Sequence, residues 1–308
     1  MGSKIMPGLS FKPVLPEDYE TIYPYTSAYG EGSCQHSPVS MYSLFEKYGD
    51  SYCVEDGVLY VLRSALCDGD HRVYLAPLGK DQTRDAFCRI IEDAAHYGKK
   101  VKFYTLTEKT AALLESFFPG RFLIEEDRDL AEYIYKTQVM ATFTGIRLKK
   151  RRNEVNAFRA EYGDRVTATP ITMADKEEIL KFEHAWVEFN KETHDWHALE
   201  REERMIIKQL DHFDELHLSG IVVRIDGVIH GFGYGTRLSD GFYDAIAEKG
   251  DRNVQHIYKF PRQQSVRMFA MDCKYVNLEE DVGAEGLRAL KLAYRPEYLL
   301  RKFIVTER

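Results

Sequence analysis

The segment 220–237, GIVVRIDGVIHGFGYGTR, admits few folds. Two β-rich arms flank Asp226-Gly227, a pair that accepts the positive φ angles of a two-residue hairpin turn. The second arm carries Gly231, Gly233 and Gly235 at alternate positions, so all three share one face of a strand. A strand face without side chains loses packing and costs stability, so something should need the space. A ligand lying along the backbone, a β-bulge that splays the sheet, or a helix packed closely over the bare face would each supply the need.

Helical periodicity precedes this hairpin. Ile179, Phe182, Trp186 and Phe189 recur at i, i+3, i+7 and i+10, and Met205, Leu210 and Phe213 mark another helix before the hairpin. The first half runs similarly, with helices over PEDYETIYPYTSAY, SPVSMYSLFEKYG and KDQTRDAFCRIIEDAAHYG and a hairpin at Asp56-Gly57. Both halves thus read strand, helix, helix, hairpin, strand, helix, strand. That repetition suggests an internal duplication with a boundary near residue 145, giving domains 1–145 and 146–308 of α/β (α+β) class, each a mixed sheet flanked by helices. At 308 residues the chain suits two cores better than one.

Composition narrows the classes. No run approaches the length of a membrane span, and MGSKIMPG lacks the apolar region of a signal peptide, so a cytoplasmic protein is expected. Cys34, Cys53, Cys67, Cys88 and Cys273 form no CxxC pair and are odd in number, which fits reduced, mostly buried thiols. A net charge of −7 argues against a globally basic nucleic-acid binder. Lys149, Lys150, Arg151 and Arg152 depart locally from it, on a helix whose other face carries Leu148, Val155, Phe158 and Tyr162. Such a run contacts RNA phosphate or an anionic lipid surface, or is a solvated helix face.

Near the end a short strand closes at Val276 and opens into Asn277, Glu279, Glu280 and Asp281, with Gly283 and Gly286 at the start of an amphipathic helix. Carboxylates between a strand end and a helix start are a common place for chemistry in α/β folds. A capped turn uses the same residues. His194 and His197, with Asp195 and Glu200 nearby, lack the frame of a zinc protease and an evident third ligand, so no metal is expected.

Three segments carry a resemblance. KKRRNEVNAFRAEY at Lys149–Tyr162, AIAEKGDR at Ala245–Arg252 and NLEEDVGAEGLRALKLAYRP at Asn277–Pro296 together resemble an uncharacterised bacterial family that shares the phosphatidylglycerol lysyltransferase C-terminal domain. The resemblance implies two tandem acetyltransferase-like (GNAT) domains, related more distantly to the Fem aminoacyl transferases. It also implies acyl or aminoacyl transfer from an acyl-CoA or aminoacyl-tRNA donor to an amine or hydroxyl on a small-molecule or lipid acceptor, with tRNA among the partners. A non-catalytic binding or regulatory protein on the same fold is the alternative.

On that reading the N-terminal half is a degenerate, structural copy. Glu279, Glu280 or Asp281 serves as base, since transfer to an ammonium group first needs a proton removed. Tyr243 or Tyr294 would protonate the leaving group. Gly231, Gly233 and Gly235 form the donor slot, and Asn277 joins the donor set. Asp251 caps a helix starting near Arg252 or Asn253 whose amides face the donor's phosphates, with Lys249 and Arg252 supplying charge. Pro261 should kink or interrupt that helix. EKGDRNVQH carries one glycine where acetyltransferases show a longer glycine motif.

Overall fold

The structure is a computed structural model that describes residues 7–80, 82–192 and 195–308. In chain order the elements are β1 (Lys12–Pro13), α1 (Tyr19–Tyr29), α2 (Pro38–Ser43), α3 (Phe45–Tyr48), β2 (Asp50–Glu55), β3 (Val58–Arg63), β4 (His71–Tyr74), β5 (Leu78–Gly79), α4 (Arg84–His96), β6 (Lys100–Thr107), α5 (Glu108–Phe117) and β7 (Phe122–Glu126). Then follow β8 (Glu132–Lys136), α6 (Thr137–Thr142), α7 (Lys149–Tyr162), β9 (Val166–Pro170), α8 (Lys176–Asn190), α9 (Trp196–Asp211), β10 (Ser219–Ile225), β11 (Val228–Ser239) and β12 (Phe242–Gly250). The last are α10 (Phe260–Phe269), β13 (Tyr275–Asn277), α11 (Glu285–Ala293), β14 (Tyr298–Leu300) and β15 (Lys302–Glu307).

Local chemistry sets many of these boundaries. Asp56-Gly57 and Asp226-Gly227 both take left-handed backbone, with φ of 50° and 74° and of 51° and 87°, and turn the expected hairpins. Thr83 caps α4 by accepting the amide of Ala86, and Thr107 caps α5 by accepting that of Thr110. The helix expected over SPVSMYSLFEKYG breaks at Leu44 into α2 and α3, and Gly49 at φ 61° ends it.

The chain divides into two compact units, each discontinuous in sequence. The first comprises residues up to Tyr133 with 280–289 and 299–308; the second comprises 134–279 and 290–298. The sequence places one boundary near residue 145, whereas the chain passes between units at Tyr133–Ile134 and then returns twice to the first. Among the described residues the first unit builds a mixed eight-stranded sheet in the order β1-β2-β3-β4-β6-β15-β7, with β5 on β3. Its core stacks Phe87, Phe103, Phe118 and Phe122 edge to face.

The second unit holds a seven-stranded sheet in the order β14-β8-β13-β12-β11-β10-β9. Strand, two helices, a three-stranded meander, helix and strand follow one another from β9 to β13. The parallel pairing of β12 with β13 covers only Phe242–Asp244 against Tyr275–Asn277, after which β12 runs on beside β11 alone. The sheet therefore parts at β12/β13.

Candidate active site

The three consecutive acids do not share a setting. Asn277 is fully buried and its side-chain oxygen accepts the amide of Glu279 at 2.7 Å, while Glu279 takes φ 57°. That turn delivers Glu280 and Asp281 into the first unit. Asp281 is 0% exposed and accepts from Arg288 at 2.9 and 2.8 Å, from Tyr133 at 2.5 Å and from the Gly283 amide at 3.0 Å. Arg128 adds a second guanidinium at 3.3 Å. Burial opposes its ionisation, yet these donors hold the carboxyl well below the usual range. A carboxylate so placed anchors a turn and is a poor proton acceptor.

Glu280 sits differently. The Gln35 side-chain amide donates to it at 2.9 Å, and the Cys34 thiol faces it at 3.6 Å. Ser33, Cys34, Gln35 and His36 form a short, buried polar turn before α2. Behind them Glu132 and Lys302, both 0% exposed, form an ion pair at 2.6 Å, and Glu132 also accepts from the Ser33 hydroxyl and the Cys34 amide. Desolvation and the nearby Lys302 push His36 down to about 3, so its ring stays neutral.

Arg63, at the end of β3, lies in the same unit. Its guanidinium carbon is 4.0 Å from the Tyr48 ring centre and 5.3 Å from that of Tyr104. Its Nη2 donates to Asp50 Oδ2 and to the Gln35 carbonyl, each at 3.5 Å, while its Nε and Nη1, the Tyr48 hydroxyl and Gln35 Oε1 have no hydrogen-bond partner among the described residues. Unmatched buried polar atoms of this kind call for an explanation, and a catalytic role, stored strain or an ordered water or ion each supplies one. Burial raises Asp50 to about 6 against the pull of Arg63. Next to Tyr104, the fully buried Thr105 takes φ 60°, a strained conformation for a β-branched residue.

The glycine strand is not a slot. β11 pairs with β10 on one side and β12 on the other throughout its glycines. A Cβ on Gly231 would stand 2.9 Å from the Lys249 carbonyl and 3.2 Å from Pro261, and one on Gly233 would stand 3.8 Å from Pro261. Gly235 lies at a register shift, where a Cβ would collide with the Asp244 carbonyl at 1.8 Å. Close packing by the start of α10 and a bulge account for the bare face. The donor position expected there is filled by protein.

The loop after β12 also departs from expectation. Asp251 caps no helix: it accepts the Asn253 amide at 2.9 Å and contacts His230 at 2.9 Å in a turn. The next helix begins at Phe260, and Pro261 stands in its first turn, where a missing N–H costs nothing, instead of kinking it. Lys249 is 4% exposed, paired with Glu202 at 2.8 Å and Glu183 at 3.5 Å, so its charge is spent inside the unit. Arg252 remains exposed beside a cavity of about 240 Å³. Tyr243 is buried with its hydroxyl donating to the Ser219 carbonyl at 2.9 Å; Tyr294 is buried beneath Arg262, which pairs with Glu248.

Leu148, which precedes α7, and Val155 and Phe158 on it are buried as the spacing predicts, while Tyr162 on the same expected face is half-buried. The four cations split: Arg152 donates to the Phe143 carbonyl at 2.7 Å, and Arg151 pairs with Glu154 at 3.7 Å and lies over Tyr294. Lys149 and Lys150 instead line an open groove of about 500 Å³ with Asn153 and His256.

Sequence reasoning passed over Gln35, Arg63, Glu132, Lys302 and Glu183. One signal was available for Glu183: it sits on α8 four residues from Ile179 and four from Val187. α8 buries Ile179, Glu183, Val187 and Asn190, a face rotated from the aromatic one read from spacing, and Phe189 stays 59% exposed. Burial raises Glu183 to about 7 despite Lys249. His194 lies outside the described residues. His197 donates its amide to the capping Asp195, and among the described residues no group of three His, Cys, Asp or Glu side chains is placed to hold a metal. Among the same residues no helix is long and apolar enough to cross a membrane.

The chain is thus of mixed α/β class, with two helix-flanked mixed sheets, one of which parts beside its meander. Residues 30–306 match the family described as phosphatidylglycerol lysyltransferase, C-terminal, and the chain belongs to that family. It is similar to a conserved protein of unknown function from Bacteroides thetaiotaomicron, at 29% identity and a TM-score of 0.89 over 97% of this chain and 100% of that one. The C-terminal domain of a putative lysylphosphatidylglycerol synthetase from Agrobacterium fabrum superposes at TM-score 0.66 with 12% identity, over 95% and 92% of the two chains. L-PGS from Bacillus licheniformis does so at 0.63 with 14% identity, over the same shares of 95% and 92%.

Proposed function

We propose that the protein transfers an acyl or aminoacyl group, from CoA or from charged tRNA, to an amine or hydroxyl acceptor, with Glu280 as the base. Family and fold point to acyl or aminoacyl transfer. The Gln35 amide and the Cys34 thiol beside Glu280 support the residue assignment, and Asp281 next to it is held well below the usual carboxylate range by Arg288 and Tyr133. In the step, Glu280 takes a proton from the acceptor's ammonium or hydroxyl, and the freed lone pair attacks the donor carbonyl. The tetrahedral intermediate then expels the CoA thiolate or the tRNA ribose oxygen, which is protonated on leaving. Lys149 and Lys150 are the proposed contacts for a phosphate-bearing partner.

The test is transfer of radiolabelled acyl groups from CoA thioesters and from charged tRNA to amines and to phosphatidylglycerol vesicles. Glu280→Gln should lower turnover by roughly 10²- to 10⁴-fold, the range for a general base, without changing the melting temperature. Parent-like turnover in this variant would remove Glu280 from the chemistry. No transfer from either donor by the parent protein would favour a non-catalytic binding protein, a reading that the filled glycine face and the inward-turned Lys249 also fit.

A further inference from the structure

The cavity of about 240 Å³ in the second unit is unclaimed by the acids or by the basic helix. Phe182, Trp186 and Phe189 of α8 form its wall, and Asn190, Asp251 and Arg252 are at its rim. At that size, below the roughly 300–1,000 Å³ of drug-sized pockets, it takes one ring system.

Two of the three rings already carry a cation. Lys249 Nζ lies 3.8 Å from the Trp186 ring centre, and the Arg252 guanidinium carbon lies 4.9 Å from that of Phe189. Such rings repel a second cation, so an ammonium ligand is disfavoured, while a neutral planar ring can stack on them. Arg252 is steadied by one bond to Asn190 at 3.0 Å. A guanidinium has five N–H groups, which leaves donors for an anionic oxygen. Asp251 adds an acceptor to the rim, suited to a ring bearing an exocyclic amine.

We infer that this cavity seats the base of an adenosine nucleotide, with Arg252 on its phosphate. A planar ring joined to an anion is what the cavity residues select. Adenosine rests on the transfer reading above, because acyl-CoA and charged tRNA both end in an adenosine nucleotide.

Titration of the intact protein with AMP and UMP, followed by the fluorescence of Trp186 and by calorimetry, tests this. AMP should quench the tryptophan and bind at least tenfold more tightly than UMP. Phe189→Ala and Arg252→Gln change exposed side chains, so both variants should fold. Loss of the Phe189 ring should weaken AMP by roughly 5- to 150-fold, the range for one base–aromatic stack. CoA and an RNA hairpin ending in CCA form the two further arms, and the tighter of them names the source of the nucleotide. Equal binding of AMP and UMP, or unchanged affinity in both variants, overturns the inference. So does AMP binding without either larger molecule. Transfer with an unchanged donor KM in Arg252→Gln defeats the inference and leaves the transfer reading intact. AMP binding with the expected variant losses, in a protein that transfers nothing, does the reverse.

Discussion

The two units use the same devices for buried charge but weight them differently. The first meets its buried carboxylates with cations: Glu132 with the buried Lys302, Asp281 with the half-buried Arg288 and Arg128, and Asp50 with the buried Arg63, which also lies over Tyr48 and Tyr104. The second also pairs Lys249 with Glu183 and Arg262 with Glu248, but it lays each of these cations on a ring face as well, Lys249 on Trp186 and Arg262 on Tyr294, with Arg252 on Phe189 and Arg151 on Tyr294. A buried ion pair is all or nothing, because losing one partner strands a desolvated charge. A cation on a half-exposed ring is worth about 0.5–2 kcal/mol and leaves room for a ligand beside it. The first unit is therefore built to hold groups still, and the second to keep openings, although the sequence suggested a purely structural first half.

Breaking the ion pair in the first unit should give the largest effect. Lys302→Met leaves Glu132 charged and fully buried, and should cost about 3–5 kcal/mol in urea unfolding. Arg301→Gln, next door but on exposed pairs with Glu108 and Glu126, should cost less than about 1 kcal/mol. A Lys302→Met variant as stable as Arg301→Gln would erase the contrast.

The next effect is a pH dependence in the second unit. Burial raises Glu183 to about 7 from an ordinary value of 4.5, so the folded state binds its proton more tightly than the unfolded chain. Its contribution is full below about pH 4.5 and is lost as pH rises through about 7, by about 3 kcal/mol at most. Glu183→Gln should flatten the stability profile across that window. Asp50 acts with the same sign in the first unit, and its window closes near pH 6. A Glu183→Gln profile parallel to the parent's would show that Lys249 keeps the carboxylate ionised.

The smallest effect concerns Lys149 and Lys150, which should leave stability unchanged when both become Gln. The logarithmic salt dependence of RNA binding should then fall by roughly 1.4 to 1.8, about 0.7–0.9 per lost phosphate contact. Unchanged slopes would make the groove a solvated face.

What the sequence revealed follows the range of the interactions. Both Asp-Gly hairpins and the buried face of α7 were legible because a few neighbouring residues decide them. Gly231, Gly233 and Gly235 signalled a close approach correctly, but not what approaches: Pro261 arrives from thirty residues on. Pro261 itself was misread because a proline stops one helix and starts another equally well. The Glu280 setting was only half visible. The acid stood out, while Gln35 and Cys34, some 245 residues away, had no local pattern to mark them.

Strand β15 lies between β6 and β7, yet nearly the whole of the second unit separates it from them in sequence. During synthesis the ribosome delivers β6 and β7 early, with a gap between them that only residues 302–307 can close. Until then Glu132 waits without Lys302, and two strand edges stand open to any passing chain. The second unit can form its meander while the first is still waiting, so the order of maturation should invert the order of translation.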